Sequence, residues 1–558
     1  MPKIIIDGKE IEFRQGQTII EAAKEHGIEI PHFCWHPKLS VSGNCRMCLV
    51  EVEKMPKLVI ACATVASEGM VVHTESQKAI AARNAVMEFL LINHPLDCPI
   101  CDEAGECKLQ DYAYQHSIGE SRFVEEKNHK DKRVKIGPRV MFDAERCISC
   151  SRCIRFCDEI AKDSELTFVK RGDRVTITTF PGEELDNPYS MNVVDICPVG
   201  ALTNADFRFK ARVWDMSHTN SICIGCARGC NIEIWVRNNE ILRLTPRHNE
   251  EVNSYWMCDH GRLNTFKFVN SETRVDSPHI RKDGKLVRVG WDEAFAEAAS
   301  KLKSMNKDQI AVIASPYATC EDNYITSKFA RSVLGTNNID FIRHIDFSFA
   351  DDILRREDLT PNSLGAELVG IRPQKNGLNI EGIIKSIKDG KIKALYLIED
   401  DILSVYPELE NSLAKLEVFI VNATNFNQST NFADIVFPAA TYAEKNGTFV
   451  NFQGRIQRIR PAVTTVEVDR ALEGMALSRL DKFGTKFDRW AQGKHFDARA
   501  TWKILSSLSN VLGNKMKYQM AEDVFNEIAS SIPEFKGLDY DVIGEFGAQL
   551  KLEKVNVV

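Results

Sequence analysis

After Cys258 this 558-residue chain has only one more cysteine, Cys320. Its second half therefore has no thiolate set for a metal cluster. No apolar run approaches the ~20 residues needed to cross a bilayer. The first ten residues carry neither an apolar signal-peptide core nor Arg/Ser-rich transit character. The expectation is a protein that stays in the compartment where it is made. The formal net charge of −7 is spread without long blocks of one sign, which removes the electrostatic case for nucleic acid. G-x-G-x-x-G and P-loop patterns are missing, and with them support for a nucleotide site. The remaining composition, 44% hydrophobic and 27% charged, is that of an ordinary folded chain. The length suggests about three to five domains.

What the chain does have is cysteine, unevenly placed. Sixteen of the 17 lie before residue 259. Disulfides are not expected in a reducing compartment, so the clustering argues for metal. The central stretch is His94-x3-Cys98-x2-Cys101-x5-Cys107. One imidazole and three thiolates suit structural zinc as well as an iron–sulfur cluster when read alone. The neighbouring sets favour iron–sulfur. Cys34, Cys45, Cys48 and Cys62 read C-x10-C-x2-C-x13-C, wider after the first Cys than the plant-type C-x4-C-x2-C. Cys147-x2-Cys150-x2-Cys153-x3-Cys157 matches the bacterial ferredoxin run, whose fourth Cys ligates the other cluster. A second run ending in Cys-Pro is then needed, and Cys197-Pro198 supplies the ending. Its first three positions hold Asn187, Ser190 and Val193. One cluster is thus expected on Cys147, Cys150, Cys153 and Cys197, with Cys157 left as a small buried residue. Cys223-x2-Cys226-x3-Cys230-x27-Cys258 forms a fourth set with 4Fe-4S-like spacing.

Local signals place these sets. Asp7-Gly8 predicts a hairpin between Lys3–Ile6 and Glu10–Phe13. Thr18 and Glu21 form a capping-box pair, and Gly27 can end that helix. Residues 78–92 predict an amphipathic helix that delivers His94. The charged run Glu125–Arg133 reads as a solvated connector. A hairpin with Asn238-Asn239 at its turn is expected between Cys230 and Cys258. From about residue 276, Gln309–Ala314, Ile392–Ile398 and Leu416–Val421 read as buried strands with helices between, the pattern of a doubly wound parallel sheet. Residues 465–558 carry plausible helices but no usable motif.

Residues 1–78 resemble the β-grasp of plant-type 2Fe-2S ferredoxins, with the wider spacing seen in respiratory NADH dehydrogenases and iron-only hydrogenases. The Cys223 set resembles the 4Fe-4S domain at the front of molybdopterin oxidoreductases. In this order, and with Asn422-Ala-Thr-Asn, Ala433–Asn451 and Gly454-Arg455 further on, residues 1–465 resemble the family of large iron–sulfur subunits (the G subunits) of bacterial NADH-quinone oxidoreductase, the respiratory complex I. The resemblance implies a multidomain α+β and α/β chain. Its parts would be a β-grasp 2Fe-2S ferredoxin domain (1–78), a helical 4Fe-4S domain with one His and three Cys ligands (79–137), a bacterial-ferredoxin-like domain with one 4Fe-4S cluster (138–215), a 4Fe-4S domain of molybdopterin-oxidoreductase type (216–275), and an α/β molybdopterin-oxidoreductase-like domain without cofactor (276–558).

It further implies an electron-transfer subunit with no substrate site of its own. The cofactors are one 2Fe-2S cluster on Cys34, Cys45, Cys48 and Cys62, and three 4Fe-4S clusters on the His94, Cys147 and Cys223 sets. The partners are an FMN/NADH-binding subunit, a small 2Fe-2S subunit and a ferredoxin-like 4Fe-4S subunit toward quinone. The place is the cytoplasmic side of the bacterial inner membrane, peripheral and without a span. Electrons would run from the Cys34 set to the Cys147 set and then to the His94 set, with the Cys223 set aside. Two related enzyme types differ at named residues. Iron-only hydrogenases carry further cysteines, where this chain has only Cys320. NAD-linked formate dehydrogenases carry a Lys where this chain has His260, and their metal-binding Cys or selenocysteine falls near Asp346. A soluble NADH-linked complex using the same subunit is the other alternative.

Overall fold

Asp7 and Gly8 both take positive φ, 48° and 78°. This is the mirror-image turn that joins two strands with the right twist, and it closes β1 (Lys3–Ile6) onto β2 (Lys9–Glu12). The computed structural model describes residues 1–467 and 493–552. The chain divides into two compact units, residues 1–215 and 216–558.

In the first unit, Thr18 and Glu21 form the expected capping box of α1 (Ile19–Glu25). β3 (Leu49–Val52), β4 (Val59–Ile60) and β5 (Val71–His73) complete a five-stranded sheet in the order β2-β1-β5-β3-β4. Ile4, Ile6, Val50 and Val72 point to one face and bury against Ile19, Ile20 and Ala23 of α1, about 1.5–3 kcal/mol for each large apolar side chain. The long loop between α1 and β3 carries Cys34, Cys45 and Cys48.

The next helix, α2, runs Gln77–Ile92. It differs from its predicted amphipathic form. Its buried stripe is only Ala79, Arg83 and Met87, while Phe89 is 75% exposed. The fully buried Arg83 is tolerated because its guanidinium donates to Glu75 and to the Thr74 carbonyl. After α3 (Lys108–His116), the charged run 125–133 is an irregular, largely exposed connector, as expected, but it is also tied down by specific contacts. Lys127 Nζ donates to the Leu91 and Ile92 carbonyls at 2.9 and 2.7 Å, capping the end of α2. Asn128 N donates to Asn93 Oδ1 at 2.9 Å, and Lys132 pairs with Asp97. Free helix-end carbonyls and a half-buried carboxylate attract these cations. The unit closes with β6 (Val134–Lys135), β7 (Val140–Phe142), α4 (Arg152–Phe156), the β8–β9 hairpin (Leu166–Val169 and Thr176–Thr179), α5 (Asn192–Ile196) and β10 (Leu202–Asn204).

The second unit opens with a three-stranded meander, β11 (Ser217–Ile222), β12 (Asn231–Arg237) and β13 (Glu240–Pro246), turned at Asn238 and Asn239 with positive φ. α6 (Asp259–Asn264) starts directly after Cys258. The β14–β15 hairpin (His279–Lys282 and Lys285–Arg288) and α7 (Trp291–Lys303) lead into five parallel strands: β16 (Ile310–Ala314), β17 (Ile339–Phe341), β18 (Ala394–Ile398), β19 (Val418–Ala423) and β20 (Ile435–Pro438). Their spatial order is β17-β16-β18-β19-β20, a doubly wound arrangement whose order reverses between β16 and β18. Alternate residues feed two cores: Val312, Tyr396 and Ile420 on one face, Ile313, Leu397 and Val421 on the other. α8 (Cys320–Lys328) and helix Thr501–Val511 cover the first face, and helix Ile380–Lys388 the second. Residues 468–492 and 553–558, part of the stretch expected to hold helices, lie outside the described residues.

Candidate iron–sulfur sites

The Cys34 set is built on the loop before β3 and the turn after β4. Cys34 N donates to Cys45 Sγ at 3.4 Å. The Cys34 thiol interacts with those of Cys45 and Cys62, and Cys48 with Cys62. These sulfur–sulfur hydrogen bonds pull Cys34 and Cys48 down and push Cys45 and Cys62 up.

His94 follows the capped end of α2. Burial lowers its pKa to about 4, which leaves the neutral imidazole that a metal requires. Cys98 and Pro99 enter a single 3-10 turn, and Cys107 immediately precedes α3. Cys101 and Cys107 are buried and within electrostatic reach of each other, while Cys98 is exposed. Burial raises Cys107 to about 11. The charged groups acting on His94 are Asp97, Arg146, Lys127 and Lys132. Gly105, at φ 91°, has no room for a side chain: a Cβ would stand 2.7 Å from Val213 and 2.8 Å from Trp214.

Cys147, Cys150, Cys153 and Cys197 line one cavity together with Phe142 and Val199. Ser149 and Ser151 take positive φ and turn the chain tightly around it, and Ser149 N donates to Cys147 Sγ at 3.4 Å. Burial is the main force raising all four thiols. Cys157 is fully buried and faces Glu165, Asp158 and Asp163. Glu165 accepts the backbone N–H groups of Asp186 and Asn187 and the Asn187 side chain. A carboxylate–amide network therefore stands beside Cys157.

In the second unit Cys223, Cys226, Cys230 and Cys258 are all buried, and Cys230 lies within reach of the other three. Gly225 N and Gly261 N each donate to a cysteine sulfur at 3.4 Å, Cys223 and Cys258 respectively. A Cβ on Gly261 would meet Cys223 Sγ at 2.7 Å. Burial raises Cys258 to about 12.

Largely buried thiols in groups of three or four, backbone N–H groups aimed at sulfur, and glycines that clear space beside sulfur form donor sets that suit iron–sulfur clusters. Among the described residues no group of three or more His, Cys, Asp or Glu closes on a single-ion site. Sequence reasoning missed the charged groups between the sets. Asp97 pairs with Arg146, which precedes Cys147, and Arg152 and Arg155 on α4 reach the Cys34 loop. Isolated arginines next to Cys carry no spacing signal.

At the β16/β18 reversal, where doubly wound sheets bind ligands, the second unit holds a buried ion cluster. Lys445 pairs with Asp322 at 2.8 Å and with Glu399 at 2.9 Å. Glu399 also accepts from Thr501, and Asp322 from Trp502 N. Asp346 is exposed and bonded to Ser348. His260 lies edge-on to Phe349. Cys320 is fully buried beside Asn362.

Comparison with known families follows the same order. Residues 3–77 match a 2Fe-2S iron-sulfur cluster binding domain. Residues 83–122 match the NADH-ubiquinone oxidoreductase-G iron-sulfur binding region. Residues 137–203 match the ferredoxin-like domain of NADH-quinone oxidoreductase subunit 3, and 216–265 an NDSU1/NuoG-like 4Fe-4S domain. Residues 274–367 and 362–470 match molybdopterin oxidoreductase. The NADH-quinone oxidoreductase G subunit of Rickettsia felis is 45% identical over 62% of this chain and 51% of the relative. That of Rickettsia bellii is 42% identical over 71% and 57%. The mitochondrial NADH-ubiquinone oxidoreductase 78 kDa subunit of Neurospora crassa is 29% identical over 100% and 86%. The chain spans about half the length of the bacterial relatives it matches. No described helix is long and apolar enough to cross a membrane.

Proposed function

The chain belongs to the G-subunit family of NADH-quinone oxidoreductase, and from that membership we propose that it is an electron-transfer subunit of an NADH:quinone oxidoreductase. Cys34, Cys45, Cys48 and Cys62 hold one 2Fe-2S cluster in a β-grasp domain. His94, Cys98, Cys101 and Cys107 hold a 4Fe-4S cluster, as do Cys147, Cys150, Cys153 and Cys197, and Cys223, Cys226, Cys230 and Cys258. Bound clusters supply one-electron redox chemistry; the chain sets their spacing, dryness and local charge.

The observation that carries this reading is the shared backbone between two sets. Cys197-Pro198-Val199-Gly200 contributes Cys197 to one set and packs on the other. Pro198 O accepts from Lys108 N at 3.1 Å and lies 3.9 Å from Cys107 Sγ. Neighbouring sets so joined suit electron passage from the Cys147 set to the His94 set. Electrons enter at the Cys34 set from a partner that oxidises NADH on FMN, assisted by a small 2Fe-2S subunit. They leave the His94 set toward a ferredoxin-like 4Fe-4S subunit and quinone. The Cys223 set stands aside as a structural centre, and residues 276–558 are a scaffold and docking surface without molybdopterin. The place is the cytoplasmic face of a bacterial inner membrane.

The molybdopterin match of residues 274–470 keeps a second reading in view, a formate dehydrogenase-type molybdenum enzyme. The Lys445–Asp322–Glu399 cluster at the sheet's reversal point and the exposed Asp346 weigh against it. Stepwise reduction of anaerobically prepared protein, followed by electron paramagnetic resonance, tests the proposal. Signals from one 2Fe-2S and several 4Fe-4S centres are expected; protein without them would overturn it.

A further inference from the structure

Arg152 stands between two of the cysteine sets. Its guanidinium donates to the carbonyl of Trp35, next to Cys34, and to the carbonyl of Ile196, next to Cys197, the latter at 3.1 Å. Its Nε is buried and has no partner. No carboxylate among the described residues pairs with it. The groups whose charge bears on it most are Cys150, Cys197, Cys34 and Cys45, two from each set. Arg152 is partly buried, and a guanidinium even partly withdrawn from water is disfavoured without a counter-charge. Here only thiolates can supply that charge, and iron keeps buried thiols in the thiolate form. Arg146 makes the contrast: it is buried near Cys101 but neutralised by Asp97.

The loop that Arg152 grips is the one widened beyond the plant-type spacing, and its extra residues are spent on this contact. Ser40 N donates to Glu159 at 2.8 Å, and Asn44 Nδ2 to Ser149 O at 3.0 Å. Ser42 accepts from Ser151 at 3.2 Å. Arg155, one turn on from Arg152, donates to the Ser40 and Cys34 carbonyls. The Cys34–Cys45 loop is thus docked on the run that bears Cys147, Cys150 and Cys153.

We propose that Arg152 is a positioning residue shared by two cluster sites, holding the Cys34 set against the Cys147 set and raising the reduction potential of both with one positive charge that no carboxylate pairs. The inference rests on the reading that both sets hold clusters. Reduction adds one electron to a cluster, and a nearby positive charge favours the more negative product. Removing that charge lowers both potentials together. A residue that only packed or tied the loop would not shift both in the same direction.

The test is a redox titration of the iron-loaded full chain, following the 2Fe-2S signal and the signal lost in the C197A variant. Arg152→Gln is expected to lower both potentials, and Arg152→Lys, which keeps the charge but loses the planar fork, to hold both near the parent values. Loaded R152Q with both potentials unmoved, or only one moved, overturns the inference alone. If R152Q loses a cluster, R152K decides: held potentials support the shared charge, and a fall at both overturns it. Parent protein without iron at these sets overturns the cluster reading and this inference with it.

Discussion

Gly200 lies directly against Cys101: a Cβ at position 200 would stand 2.3 Å from the Cys101 sulfur and 2.9 Å from Cβ of Glu103. A residue two places after the Cys-Pro ending of one set therefore shapes the other. Gly200→Ala has to displace Cys101 or the backbone. The expected result is loss or broadening of the His94-set resonance signal with the 2Fe-2S signal retained. A variant with all signals unchanged would show that the contact does not matter.

Assigning Cys197 rather than Cys157 to the third set makes opposite predictions for a half-buried and a buried cysteine. Cys197 lines the cavity with Cys147, Cys150 and Cys153; Cys157 faces carboxylates. Cys197→Ala should remove one 4Fe-4S signal, and iron content should fall by about four atoms per chain. Cys157→Ala should leave iron unchanged. A cluster lost from the Cys157 variant would move the ligand set.

His94→Cys should keep a cluster but lower its potential, because a thiolate adds negative charge where neutral imidazole stood. The imidazole pKa, depressed to about 4 by burial, means the native site needs no proton loss at neutral pH to receive iron. A potential equal to the parent's would argue that His94 is not a ligand.

Lys445 is the only cation paired with the buried Asp322 and Glu399 among the described residues. Lys445→Met leaves two carboxylates without it, a change that costs about 3–5 kcal/mol. Thermal unfolding should show the loss as a lowered transition. Iron bound at the Cys34, His94 and Cys147 sets should be unaffected. An unchanged transition would mean the ion cluster contributes nothing to the fold.

The parts that the sequence made legible are those written as local pattern. The Asp7-Gly8 turn, the Thr18/Glu21 box, the Asn238-Asn239 hairpin and the parallel strands of the second unit depend on neighbouring residues or on runs of buried β-branched side chains. The spacings that group the cysteines into candidate sets are local pattern of the same kind. What was not legible is long-range. Lys127 seeks carbonyls about 36 residues back along the chain, a contact that no charge count announces within a largely solvated run. Arg152 bridges carbonyls 117 residues before it and 44 after it, and no spacing announces such a residue. The α2 stripe misled because Arg83 is buried where the pattern called for an apolar residue.

A chain that carries electrons on clusters, as proposed, and performs no molybdenum chemistry has a defined metal content. The most direct measurement is iron and molybdenum per chain in anaerobically prepared protein. About 14 iron atoms with no molybdenum or tungsten is the expected result, the total for one 2Fe-2S and three 4Fe-4S clusters. About one molybdenum or tungsten per chain would contradict the account and make the second unit catalytic.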